Sequence, residues 1–145
     1  VIKPIGLLLF AALFCGQLQA EITVTEGYIR GLPPGQMTTA AFMRLFNSAG
    51  QVIRIQSASS PAAERAEFHR SSHSNGMMSM EALAAVVVPA RGELVLEPGG
   101  VHLMLINLTA PLREGDSAEL TLQLEGGQQL TVTLPVRSVL NEHRY

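Results

Sequence analysis

Residues 118–136 read A-E-L-T-L-Q-L-E-G-G-Q-Q-L-T-V-T-L-P-V. Leu120, Leu122 and Leu124 alternate with Glu119, Thr121, Gln123 and Glu125. Beyond Gly126-Gly127, Leu130, Val132, Leu134 and Val136 alternate with Gln129, Thr131 and Thr133. A period of two on both sides of a Gly-Gly turn predicts an antiparallel hairpin with one buried face and one wet face. Pro135 has no N–H to give to a ladder, so it predicts that the second strand lies at an edge or finishes there.

Upstream, turn signals recur at short intervals: Pro33-Pro34-Gly35, Ser48-Ala49-Gly50, Ser60-Pro61, Asn75-Gly76, Arg91-Gly92, Pro98-Gly99-Gly100 and Glu114-Gly115-Asp116. Short runs rich in Val, Ile, Leu, Thr and Phe separate them. This spacing predicts a single-domain, all-β fold, an antiparallel sandwich or barrel. Extended segments are expected over 22–30, 39–47, 51–58, 66–70, 77–88 and 93–97. Residues 62–66 have helical propensity, enough for at most one turn after Ser60-Pro61. The run 77–85 would also make a helix by propensity, but its Asn75-Gly76 and Val86-Val87-Val88 flanks favour strand or irregular structure.

Residues 1–20 carry Lys3, an apolar stretch from Ile5 to Cys15 and a small residue, Ala20, before Glu21. That layout predicts a secretory signal peptide, too short in its apolar part to span a bilayer, which takes about 20 apolar residues. Lipidation at Cys15 is the lesser alternative, because Phe14 is large where that signal expects a small residue. Residues 21–138 then form the domain, and 139–145 a short tail with a solvated His143. Cys15 is the only cysteine, so the exported part has no thiol and no disulfide and depends on its core. With nine arginines against twelve acidic residues after Lys3 is removed, it carries a net charge of −3. Few aromatics and no basic cluster argue against nucleic acid as a partner.

The chemistry concentrates between Glu67 and Met104, which hold three of the four histidines and four of the six methionines. His102 and Met104 stand two apart in an apolar run, so on a strand both side chains leave by one face. Imidazole with thioether is a soft donor set, suited to Cu(I) and poorly suited to magnesium or calcium. Taken singly, each residue has a plainer reading. His102 reads as a core histidine, Met80 and Met104 as gap-fillers, and His69 as a solvated position. Met43 reads as core and Met37 as loop; His73, Met77 and Met78 read as a lip around the site, with Met78 a conceivable substitute ligand.

The joint spacing is H-x10-M-x21-H-x-M, from His69 through Met80 to His102 and Met104. With R-G-L-P-P-G, A-A-F-M-R-L-F-N, S-S-P-A-A-E-R-A-E-F-H, P-G-G-V-H-L-M-L and P-L-R-E-G-D around it, the chain resembles the periplasmic copper chaperones of the PCuAC type over nearly all of residues 21–138. The resemblance implies a cupredoxin-like β-sandwich or barrel that binds one Cu(I) per chain through His69, Met80, His102 and Met104. It implies a periplasmic monomer that delivers copper to cytochrome c oxidase assembly. The acceptor would be oxidase subunit II, for its copper-A centre, or a thiol-bearing assembly factor. The alternative is a copper-buffering or resistance protein with no dedicated acceptor. Without a cysteine, a blue-copper electron-transfer site is excluded. No nucleophile, triad or carboxylate pair stands out, so the expectation is a protein that is not an enzyme and that does not insert in the membrane once the leader is removed.

Overall fold

The computed structural model describes residues 21–138; the expected leader with Cys15, and the tail with His143, lie outside them. Ten strands follow one another: β1 (Ile22–Gly31), β2 (Thr38–Asn47), β3 (Ile53–Ser59), β4 (Ala63–Ser74), β5 (Met77–Leu83), β6 (Val86–Val88), β7 (Glu93–Leu96), β8 (Val101–Leu108), β9 (Ser117–Leu124) and β10 (Gln129–Ser138). Among the described residues there is no helix; the 62–66 segment enters β4 instead. The fold is all-β, as the turn spacing predicts.

Seven strands pair in the order β4-β8-β2-β1-β10-β9-β3, and an Ala58–Ala66 pairing between β3 and β4 closes the ring into a barrel. Closure gives every strand of the ring a neighbour on both sides over at least part of its length. The pairs are antiparallel except one, since β1 and β10 run parallel where Ile29, Arg30 and Gly31 meet Val136, Arg137 and Ser138. Three strands hang on the ring: β5 on β4, β6 on β3 and β7 on β2.

Alternation along each strand sends one set of side chains inward. Ala41, Met43 and Leu45 of β2, Phe68 of β4, Leu103 and Leu105 of β8, and Leu120, Leu122 and Leu124 of β9 are buried in one continuous core. In β1 a bulge between Thr25 and Tyr28, with Glu26 at φ 52°, switches the phase. Ile22 faces the core before it and Ile29 after it, because an extra residue flips the alternation.

Two expectations are corrected. β10 is not an edge strand: its ladder to β9 ends at the Pro135–Ser117 pair and its ladder to β1 begins at Val136. Pro135 stands where the strand changes partners, so its missing donor is tolerated there. The single extended run expected over 77–88 is two strands. β5 pairs with β4, while β6 leaves at Ala84-Ala85 to pair with β3.

Candidate metal centre

The wall formed by β5, β4, β8 and β2 has an outer face, opposite Phe68, Leu103 and Ala41. Its register is fixed by the pairs His69–His102, His69–Ala82, Ser71–Met80 and Glu67–Met104, with Ala40 beside Met104. Paired residues share a face, and so do residues two apart. All four sequence-predicted residues, His69, Met80, His102 and Met104, therefore leave the same outer face on three neighbouring strands.

His102, Met104 and Met80 line one open cavity of about 530 Å³, together with Phe42, Arg30 and Thr39. His69 is set back from it as the direct neighbour of His102, with ring centroids 6.2 Å apart. Metal–nitrogen bonds run to about 2 Å, so the ring separation is of the size that two imidazoles on one ion require. Although it points outward from the barrel, His102 is only 4% exposed. Phe42 packs against it at 6.5 Å between centroids, Tyr28 packs on Phe42 at 5.3 Å, and the Arg30 guanidinium covers the Phe42 ring. A second small apolar layer thus lies on this patch of the wall and dries the histidine.

Hydrogen bonds fix which nitrogen of each ring carries the proton. His69 Nε2 lies 3.1 Å from Glu67 Oε2, and Glu67 Oε1 accepts from Arg65. A carboxylate only accepts, so Nε2–H is the donor. His102 Nδ1 lies 3.0 Å from the Gly100 carbonyl, which also accepts the Ser71 N–H; by the same logic Nδ1–H donates. In the neutral rings His69 Nδ1 and His102 Nε2 carry the lone pairs, and among the described residues these are the buried side-chain nitrogen or oxygen atoms without any hydrogen-bond partner. Buried polar atoms are nearly always paired, and one left bare calls for a reason. Two imidazoles, each held by an outer hydrogen bond, form the arrangement that metal-binding histidines use.

Among the described residues no three His, Cys, Asp or Glu side chains converge on a point. Any ion held by these two rings must complete its coordination with thioethers, water or a partner. Met104 is partly covered beside His102, while Met80 is 56% exposed on β5. Neutral nitrogen and sulfur donors without a carboxylate favour a soft monovalent cation over a hard divalent one.

Sequence reading missed Glu67 and Gly100. Each stands two residues before the histidine it orients, so the period-two rule that united His102 with Met104 also carried the signal for Glu67 on the face of His69. The outcome for the remaining methionines is as expected: Met43 is 1% exposed and belongs to the core, while Met37 lies in the loop before β2.

The model of the LpqE-like lipoprotein family matches residues 22–136. The relative named lipoprotein Lxx21020, from Leifsonia xyli subsp. xyli (strain CTCB07), is 32% identical over 123 residues, covering 84% of this chain and 73% of its own. Among solved structures, the solution structure of the Cu(I) form of DR1885 from Deinococcus radiodurans is 34% identical, with a TM-score of 0.67. It covers 88% of this chain and 85% of its own. The copper-bound PCuAC domain from PmoF2 shares the fold at a TM-score of 0.69 and 22% identity, covering 81% of this chain and 93% of that domain.

Proposed function

The chain belongs to the LpqE-like lipoprotein family, and from that premise we propose that it is a non-enzymatic Cu(I) carrier. One ion per chain is held by His69 Nδ1, His102 Nε2 and the sulfurs of Met80 and Met104. The observation that carries this reading is the pair of bare, buried imidazole nitrogens on adjacent strands, with thioethers on the same face. The Cu(I) form of DR1885, at 34% identity, supports copper as the ion.

The donor set also suits delivery. Thioethers need no deprotonation and survive where free thiols would oxidise. They hold Cu(I) less tightly than thiolates would, and an open cavity lets an acceptor approach. The carrier is exported to the periplasm. There it hands copper to cytochrome c oxidase assembly, to subunit II or to a thiol-bearing factor.

X-ray absorption on the protein loaded anaerobically with Cu(I) tests the centre. Nitrogen and sulfur scatterers together are expected, with the sulfur signal reduced in Met104→Leu and copper lost in His102→Ala. A spectrum without sulfur, or full copper retention by His102→Ala, overturns the assignment. Delivery is tested by deletion: loss of oxidase activity at low copper supports it, whereas sensitivity at high copper alone favours buffering.

A further inference from the structure

Beyond Arg70, β4 loses β8 as a partner, yet its pairing with β5 runs on to Ser74–Met77. This stretch of hairpin stands out from the barrel beside the cavity. Its turn is Asn75-Gly76, with φ of 52° and 74°, the backbone that a two-residue hairpin loop requires. A Ser72–Ser79 hydroxyl hydrogen bond of 2.7 Å pins the register on the face away from the cavity. On the cavity face the same register sets His73 opposite Met78, one pair beyond Ser71–Met80.

Directly opposed residues have Cβ atoms about 5 Å apart, so an imidazole and a thioether converge here by construction. Both line the cavity that His102 and Met104 line. Met78 is 65% exposed, and among the described residues no hydrogen bond engages the His73 ring. Met78 and Met80 are two apart on one face, about 7 Å along the strand, which a flexible thioether side chain can bridge from either side.

Resting on the copper reading of the inner centre, we propose that His73 and Met78 form an outer Cu(I) station at the mouth of the cavity. Cu(I) enters and leaves through it, and Met80 accompanies the ion between the two positions. The step is a ligand exchange: Met80 stays bound, the inner nitrogens and Met104 release as His73 and Met78 bind, and no electron or proton is transferred. At the station the ion is exposed on one side, where an incoming ligand can attack it. At the inner centre His102 is only 4% exposed, so an incoming ligand reaches the ion there less readily than at the station. The path is the reason that a strand end should carry exposed methionines facing an imidazole when nothing covers them.

The experiment is anaerobic stopped-flow transfer of Cu(I) from the loaded full-length protein to excess bathocuproine disulfonate, with the wild type compared with His73→Ala/Met78→Leu. The expected result is that the first Cu(I) equivalent keeps its affinity while transfer slows by about tenfold. The rate should also lose its dependence on chelator concentration, and His73→Met should restore it. Unchanged transfer in the double variant overturns the station. So does a loss of affinity that matches the loss of rate, because the two residues would then belong to the inner centre. A wild type that takes up no Cu(I) overturns the inner centre itself, an outcome read before any transfer is measured.

Discussion

Replacing Glu67 by Ala removes the acceptor that aims His69 while leaving every proposed ligand in place. Glu67 receives His69 Nε2–H at 3.1 Å, and Arg65 holds its other oxygen at 2.9 Å. Without it, the His69 ring can flip or change tautomer, and Nδ1 is no longer held as the bare nitrogen. Outer-shell partners of this kind contribute roughly 10- to 100-fold in metal affinity. The Glu67 side chain is 35% exposed, and water can replace part of its role, so the low end applies. We expect about a tenfold weaker Cu(I) affinity, equivalent to about 1.4 kcal/mol. Glu67→Gln keeps an oxygen in place and should recover most of it. Anaerobic competition against a chelator of known Cu(I) affinity reads the change, and thermal unfolding of the metal-free protein checks that the barrel is intact. An Ala variant with unaltered fold and unaltered affinity would refute the reasoning, since His69 would then need no orientation or would not be a ligand.

Met80 is far more exposed than Met104, and ordering a methionine side chain opposes binding by about 1.5–2 kcal/mol. Met80→Leu should therefore weaken Cu(I) less than Met104→Leu in the same competition assay; the reverse order would contradict the exposure argument. Asn47 is fully buried, donates to the carbonyls of Gln51, Val88 and Pro89, and accepts from the Ala49 N–H. Asn47→Ala should cost about 3 kcal/mol in urea unfolding, from the groups left without partners. Asn47→Asp sets a carboxylate against those carbonyls and raises its folded pKa. Its extra loss should be absent below about pH 4, grow as pH rises past the unfolded carboxyl's value, and level off above the raised folded one. A Cβ on Gly27, in the β1 bulge, would collide with a Leu134 methyl. Gly27→Ala should lower stability by about 1–3 kcal/mol, and shortening Leu134 to Val should return part of it.

The β9–β10 hairpin was legible because its alternation is local and its turn is marked by glycines. The same rule placed His102 with Met104. It faltered where a strand changes partners: Pro135 looked terminal because a sequence does not display the second ladder that begins at Val136. Residues 77–88 looked continuous because two adjacent extended segments differ only in where they pair. The length of β4 was also hidden. Residues 71–74 are polar or exposed on both faces, so the pattern stops at Arg70 although the strand does not. The site was carried by a long-range spacing whose meaning lies in cross-strand register. Finer still, and not carried by that spacing, are the acceptors at Gly100 and Glu67, each choosing which nitrogen remains bare.

The parallel seam between β1 and β10 joins the first described strand to the last. Until residues 136–138 reach Ile29–Gly31, the sheet is an open ribbon with Leu134 and Val136 uncovered. Such distant pairing is slow to form, and exposed strand margins invite association between chains while it is pending. Closure of this barrel is thus held until residues 136–138 arrive, and a nick at that seam would return the whole wall, the His69–His102 face included, to an unzipped sheet.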